Sequence, residues 1–161
     1  MTRGQAVMDG GLTYQIWRDV LPPLLLDAHV PSEMAAILRA VVPQIGALTA
    51  HTHTVNEPVD AAKRFPGALT TLLVGLQEPT LIILEDLQWA ADSVDVLRDL
   101  TPLLAERPVL VVATYRSDEM AGLIDNLPGA ESIVLGRLSA PALADLSRAI
   151  LRAGRRLRRS A

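Results

Sequence analysis

Residues Leu81–Ala90, with the sequence LIILEDLQWA, decide the fold of this chain. Four branched apolar residues run without interruption and end in two adjacent carboxylates, Glu85 and Asp86. A short apolar run of this kind, preceded by Pro79, is typical of a strand that is buried on both faces of a parallel sheet. We therefore predict an α/β protein with this strand inside its sheet.

The two acids lie where open α/β sheets hold their ligands, beyond the carboxyl ends of the strands. One carboxylate can hold a hydrated Mg²⁺ ion, and its neighbour can orient a water molecule for attack on a phosphate. A simpler alternative stays open, because strand ends are commonly polar. In that alternative, Glu85 and Asp86 are solvated side chains without a ligand.

The composition limits the class of protein. Half of the 161 residues are hydrophobic but only five are aromatic, which favours an aliphatic core in an α/β or helical fold. The absence of cysteine excludes disulfides and thiolate metal or redox sites. Residues 1–11 lack the apolar segment of a signal peptide, and no apolar run is long enough to span a bilayer. We expect a cytoplasmic protein without a membrane partner.

The charge is unevenly distributed along the chain. Residues 1–147 contain nine basic and eighteen acidic residues, whereas the last 14 residues contain six arginines and no acid. Such a basic run can contact nucleic acid or anionic lipid. It can also be the frayed, solvated end of a helix, where cations are favoured. The second interpretation is preferred, since no aromatic residue is interleaved with the arginines. We therefore predict a domain over 1–147 and a basic tail over 148–161.

Apolar periodicity predicts helices alternating with strands. The predicted strands are the end of one within 1–8, which enters a turn at residues 9–11, the strand that starts at Leu81, a second fully buried strand over 109–115, and a third over 131–135. The predicted helices cover residues 12–26, 32–48, 62–77, 92–106, 118–127 and 139–153. The expected helix caps are Asp92 or Ser93 for the fourth helix and Ser139 for the last. His51 and His53 fall in a predicted loop over 49–60, with a spacing that suits no metal site.

This pattern of motifs resembles the ATPase module of AAA/STAND-class signalling NTPases. LIILEDLQWA, the following SVDVLRDL and the later PVLVVATYRSDE carry the resemblance, which extends to LTYQIWRDVL near the start of the chain. Such modules occur in LuxR-type transcription regulators, in adenylate cyclases and in related multidomain signalling proteins. The resemblance implies a three-layer, P-loop NTPase-like parallel sheet.

The resemblance also assigns roles to individual residues. Glu85 matches the Walker B acid that holds Mg²⁺, and Asp86 matches the acid that polarises the attacking water. Arg116, after the second matching strand, corresponds to a residue that senses the γ-phosphate, for which the guanidinium fork is suited. The alternative for Arg116 is an ion pair with Asp86 or Asp118 at the strand ends.

The chain departs from the family at the phosphate-binding loop. The motif G-x-x-x-x-G-K-[ST] is absent, and the only lysine, Lys63, lies in AAKRFPG. The resemblance implies Mg²⁺ and ATP as cofactors of the family, but without this loop we expect no autonomous ATP hydrolysis and no more than a weak contact with adenine or ADP. We also expect an incomplete sheet, because the strand that leads into the loop is absent. The chain is then part of a signalling ATPase module. The alternative is a degenerate interaction module that pairs with an intact homologous ATPase or regulator domain.

Overall fold

The computed structural model describes residues 1–8, 11–26, 30–47 and 58–157, with side chains omitted at residues 47, 58–60 and 152–157. The chain divides into two compact units, Met1–Ala130 and Glu131–Ala161. Several predicted features lie outside the described residues: the turn at residues 9 and 10, most of the loop with His51 and His53, and the last four residues.

The first unit contains a parallel three-stranded sheet with the strand order β1-β2-β3. The strands are β1 (Thr2–Gln5), β2 (Thr80–Glu85) and β3 (Val109–Ala113). In the register, Gly4 lies beside Leu84, and Leu84 lies beside Ala113. These three strands and their parallel order confirm the α/β class predicted from the sequence.

Four helices belong to the first unit: α1 (Gln15–Leu25), α2 (Ser32–Val41), α3 (Pro58–Val74) and α4 (Ala91–Leu104). Helix α1 runs through Pro22 and Pro23, whereas α2 ends before Pro43 and is followed by a short 3₁₀ helix. Helix α3 starts at Pro58, inside the region predicted as a loop. The cap prediction for α4 was wrong, because Ala90 is the N-cap and makes no side-chain hydrogen bond.

One face of the sheet is covered by helices and contains the core. Helix α1 lies so close to β1 that an added Cβ at Gly4 would meet the carbonyl oxygen of Ile16 at 2.1 Å. The Thr2 hydroxyl donates a hydrogen bond to the carbonyl oxygen of Val20 at 3.1 Å. On β2, Ile82 and Leu84 share this face and are completely buried. Aliphatic packing therefore fixes α1 and the strands to each other.

The opposite face of the sheet is open at β3. Leu110 is 62% exposed and Val112 is 43% exposed, whereas Val109 and Val111 pack against the core. The prediction of a fully buried strand over 109–115 was therefore wrong. Strand β3 is also the last strand of the sheet, so its outer edge has no strand neighbour among the described residues. The third layer implied by the resemblance would require a helix over β3 on this face, and none of the four helices of the first unit covers Leu110 and Val112 there.

Two further predictions were wrong. Residues 131–135 form no strand, and Ile133, Val134 and Leu135 are almost fully exposed. Residues 118–127 form turns and a 3₁₀ helix at Ile124–Asn126 instead of an α-helix. Both segments follow β3, so the sequence pattern fails at the point where the sheet ends.

The second unit contains helix α5 (Ala140–Leu157). As predicted, Ser139 caps it: the Ala142 N–H donates a hydrogen bond to the Ser139 hydroxyl oxygen at 3.4 Å. The helix continues to Leu157, so the boundary predicted between residues 147 and 148 falls within it. Across the described part of the chain, no helix combines the length and the apolar character needed to cross a bilayer.

Candidate functional site

The candidate site lies at the carboxyl ends of β2 and β3. Glu85 is the last residue of β2, and Asp86 follows it with a left-handed backbone, φ 61° and ψ 43°. Non-glycine residues seldom adopt this conformation, and aspartate is among those that tolerate it. The turn at Asp86 thus ends the strand. As a result, the carboxylates of Glu85 and Asp86 point in different directions.

Thr114 joins the two strand ends through three hydrogen bonds. Its N–H donates to the Leu84 carbonyl at 2.9 Å, and its own carbonyl accepts from the Leu87 N–H at 3.0 Å. Its hydroxyl oxygen accepts from the Asp86 N–H at 3.3 Å. Because both sides of the Asp86 turn are bonded to one residue of the neighbouring chain segment, the position of Asp86 is fixed by the sheet.

Both carboxylates have partners on β1. The Arg3 guanidinium forms an ion pair with the Glu85 carboxylate, and the Gln5 side-chain amide donates to Asp86 Oδ2 at 2.9 Å. Arg3, Gln5 and Glu85 lie on the open face of the sheet, since they alternate with the buried residues of their strands. The structure therefore brings Glu85 and Asp86 together and adds Arg3 and Gln5, which the sequence interpretation missed.

Arg116 lies beyond β3 but does not contact the two carboxylates. Its guanidinium pairs with Asp118 at 3.0 Å and with Glu119 at 2.8 Å. The hydrogen bond to Asp118 raises the pKa of Arg116, and the same bond lowers the pKa of the Asp118 carboxyl. Of the alternatives predicted for Arg116, the ion pair with Asp118 is thus confirmed, whereas a direct pair with Asp86 is not formed.

Two residues of the 3₁₀ turn Leu87–Trp89 connect Asp86 to Arg116. The Gln88 side-chain oxygen accepts from the Arg116 N–H at 3.1 Å, and the Trp89 indole N–H donates to Glu119 at 3.0 Å. The Gln88 side-chain nitrogen is buried and has no acceptor in the described structure. An unpaired buried donor is costly to the fold. The adjacency of Gln88 to the two acids is the only signal for this arrangement in the sequence.

Asp92 has a packing role. Its carboxylate accepts the Tyr14 N–H at 2.5 Å and a hydrogen bond from the Ser93 hydroxyl at 3.1 Å. Tyr14 has a left-handed backbone with φ 58°, and its ring stacks on Phe65 with ring centroids 4.6 Å apart. Asp92 therefore holds the start of α1 against α4.

A cavity of about 460 Å³ opens between the segments that follow β1 and β2. Its position, outside the carboxyl ends of parallel strands, is where ligands of open α/β sheets bind. None of the predicted site residues Glu85, Asp86 and Arg116 lines this cavity. The residues that line it are Ala6, Val7, Gly11, Leu12, Thr13 and Gln15 on one side and Trp89, Ala90, Ala91 and Asp92 on the other.

A metal ion held only by protein side chains is not supported. Within the described ranges, no group of three or more histidine, cysteine, aspartate or glutamate side chains could hold a metal ion. The carboxylates of Glu85 and Asp86 can contribute one or two oxygen ligands, a number that suits Mg²⁺ when phosphate oxygens and water complete its shell.

Comparisons of the chain with models of protein families, with curated protein sequences and with solved structures found no match. The interpretation of the site therefore depends on the geometry of its residues and on their chemistry.

Proposed function

We propose that residues 1–130 are the acidic half of a nucleotide site, in an ATPase module of the AAA/STAND class. The observation that carries the proposal is the carboxylate pair at the end of the middle strand, held in place by Thr114. In this proposal Glu85 contributes an oxygen ligand to Mg²⁺, and Asp86 accepts a hydrogen bond from the water that attacks the γ-phosphate.

The partners of the two acids suit a site that binds Mg²⁺ together with a phosphate. Arg3 neutralises Glu85 when no cation is bound, and this exposed ion pair costs little free energy to break. Gln5 is a neutral donor to one oxygen of Asp86, so the second oxygen stays free to accept. When bound, Mg²⁺·ATP supplies the polarised phosphate, while Glu85 and Asp86 hold the cation and orient water.

Donors for the phosphate oxygens are available in the turn after β2 and in the loop after β3. The guanidinium of Arg116 is exposed and paired with acids of its own loop, so a rotation of the side chain can exchange these carboxylates for a phosphate. The buried amide nitrogen of Gln88 lacks an acceptor in the described structure. Both groups are donors, and both lie on the side of the site next to β3.

The chain does not contain the phosphate-binding loop, and the outer edge of β3 is where we propose that the loop joins the site. A further parallel strand at this edge would cover one side of β3 and would end beside Thr114 and Arg116. Backbone N–H groups and a lysine of the added loop would then hold the phosphates opposite the two acids. Without it, positioning and charge neutralisation are both incomplete, and we expect no ATP hydrolysis by this chain alone.

Amide NMR spectra recorded with increasing Mg²⁺·ATP test this proposal. We expect weak binding that shifts the amides of Asp86, Gln88 and Arg116, without release of phosphate. The substitutions Glu85→Gln and Asp86→Asn should abolish the shifts. Asp99→Asn, which changes an exposed aspartate on α4, should preserve them as a matched control. Shifts that are the same in Glu85→Gln and in the unmodified chain would refute the proposed role of the acids.

A second candidate function is an interaction module, and the exposed edge of β3 favours it. Thr114 directs both its N–H and its carbonyl towards β2. Because these directions alternate along a strand, the backbone N–H and carbonyl groups of Val109, Val111 and Ala113 point outward. These groups, together with the exposed side chains of Leu110 and Val112, can accept a strand from an intact homologous ATPase domain.

The two candidates differ in what protects the β3 edge. In an interaction module, hydrogen exchange at the amides of Val111 and Ala113 should slow when an intact ATPase domain of this class is added, with or without nucleotide. Ala113→Pro removes one outward N–H and should abolish the effect, whereas Ala113→Ser should retain it. Protection that requires Mg²⁺·ATP would favour the nucleotide site instead.

A further inference from the structure

Helix α5 of the second unit has an apolar stripe of exposed side chains. Leu143, Leu146 and Ile150 follow each other at spacings of three and four residues, which places them on one side of the helix. They are 54%, 47% and 62% exposed, and Leu151 beside them is 68% exposed. A stripe of four large aliphatic side chains at this exposure indicates a surface that is covered by something else.

The same helix is strongly basic. Residues 131–161 contain seven arginines and two acids, a net charge of +5, whereas residues 1–130 contain eight basic and sixteen acidic residues, a net charge of −8. One of the two acids, Asp145, is already paired with Arg148 at 3.0 Å. Within the helix and just beyond it, arginines stand at positions 148, 152, 155, 156, 158 and 159.

We propose that α5 binds to the surface of an anionic lipid bilayer and lies in the plane of that surface. A helix with an aliphatic stripe and a basic composition buries the stripe at the boundary between headgroups and acyl chains. The arginines then lie among anionic headgroups, where each contributes about 1 kcal/mol, or roughly a fivefold gain in binding. This binding requires no helix that spans the membrane, but it departs from the expectation, drawn from the sequence, that the chain has no membrane partner.

Charge and composition favour lipid over the other occupants of such a face. Nucleic acid would pair with the arginines but would leave Leu143, Leu146 and Ile150 in water. Residues 131–161 also contain no aromatic side chain for stacking on bases. A second copy of the chain could cover the stripe, but it would bring two sets of arginines together and would be opposed by their repulsion.

Sedimentation of the full chain with lipid vesicles tests the proposal. We expect binding to vesicles made of equal parts phosphatidylserine and phosphatidylcholine, none to phosphatidylcholine alone, and weakening as salt is added. The double substitution Leu146→Asp with Ile150→Asp should reduce binding by about a hundredfold, since each buried aliphatic side chain contributes roughly tenfold. Arg148→Gln with Arg152→Gln should reduce it by about 25-fold.

Matched controls come from the first unit. Leu103→Asp changes an exposed leucine of α4, and Arg107→Gln changes an exposed arginine, and both should leave vesicle binding unchanged. Equal binding to phosphatidylcholine alone would refute the role of anionic headgroups, and binding by both α5 variants equal to that of the unmodified chain would exclude α5 as the binding surface. Either result would overturn the proposal.

Two further measurements identify another occupant. Binding to duplex DNA that survives Leu146→Asp with Ile150→Asp, together with no vesicle binding, would assign the arginines to nucleic acid and overturn the proposal. Self-association in lipid-free solution that the same double substitution abolishes would assign the stripe to a second copy and overturn it equally. Loss of vesicle binding in both α5 variants, with neither of these results, supports the lipid surface.

Discussion

Strands β2 and β3 have nearly the same apolar character but opposite surroundings. Strand β2 lies between two strands, and its residues Ile82 and Leu84 are completely buried. Strand β3 lies at the edge, where Val111 and Ala113, the register partners of Ile82 and Leu84, are partly buried and exposed, respectively, although no polar residue interrupts the run from Val109 to Ala113. Composition therefore predicts a strand in both places, whereas the number of neighbours decides how far each is buried.

The same contrast separates the two faces of the sheet. Thr2, Gly4 and Leu84 lie under α1 on the covered face, and Arg3, Glu85 and Val112 lie on the open one. The covered face contains the residues that hold the fold together, and the open face carries the charged groups of the candidate site. Substitutions on the two faces should consequently have different effects on stability.

The largest difference is expected between Leu84→Ala and Val112→Ala. Leu84→Ala removes a fully buried side chain and should lower the free energy of unfolding by about 2–5 kcal/mol. Val112→Ala shortens a partly exposed side chain at the edge and should cost less than about 1 kcal/mol. Urea denaturation followed by circular dichroism measures both. Equal losses would mean that β3 is as well covered as β2.

A smaller difference is expected between two glycines. At Gly4, the methyl group of alanine would meet the backbone of α1, and Gly4→Ala should destabilise the first unit by about 1–3 kcal/mol. At Gly67, within α3, no atom lies within 4 Å of the added Cβ. Gly67→Ala should therefore stabilise the helix by up to about 1 kcal/mol. Thermal unfolding measures the stability of both variants. If Gly4→Ala were as stable as the unmodified chain, the close packing of α1 on β1 would be contradicted.

On the open face, removal of the Arg3–Glu85 ion pair should matter little for stability. Arg3 is exposed, so Arg3→Gln should change the free energy of unfolding by less than about 1 kcal/mol. Arg64→Gln, which removes the surface pair with Glu33, is the matched control and should behave alike. A loss above about 2 kcal/mol for Arg3→Gln alone would show that Arg3 stabilises the strand ends and does not merely neutralise Glu85.

The smallest effect concerns Tyr14 and is confined to alkaline solution. Burial, followed by the charges of Asp92 and Asp95, raises the pKa of its phenol above 10.0. A raised pKa means that the folded chain holds this proton more tightly than the unfolded chain. The resulting stabilisation is complete below pH 10 and is lost as the pH rises through the pKa of the folded state.

Spectroscopic titration of tyrosinate measures this pKa. The chain contains two tyrosines, so Tyr115→Phe isolates the signal of Tyr14. The midpoint should lie above 10.0 in the folded chain, and Asp92→Asn should move it downward, because one of the two negative charges is removed. A midpoint at or below the ordinary value would contradict the packing of Tyr14 between Phe65 and α4.

Much of the fold was predictable because strong apolar periods dominate it. The strand at Leu81 and the helices over 12–26 and 92–106 appear close to the predicted positions. Periodicity failed at residues 131–135, since an apolar run becomes a strand only where another strand offers it hydrogen bonds. Periodicity also did not predict the exposure of Leu110 and Val112, because a buried strand and an exposed one can have the same composition.

The candidate site was predictable in part. The adjacency of Glu85 and Asp86 at a strand end is visible in the sequence, and so is the position of Arg116 after the next strand. The partners Arg3 and Gln5 were not, because they come from a strand about eighty residues earlier in the chain, and the register of β1 on β2 determines which side chains meet. The hydrogen bonds of Thr114 likewise depend on the pairing of β2 with β3.

The bare edge of β3 also has a consequence for the handling of the protein in solution. VLVVA is uncharged, free of proline and glycine, and rich in residues that favour extended chains. In natural sheets, a lysine, a proline or a β-bulge usually protects such an edge from pairing with another chain. Residues 109–113 contain none of these features. Edge-to-edge aggregation through β3 should thus limit the solubility of the chain. The single substitution Val112→Lys should raise that solubility limit.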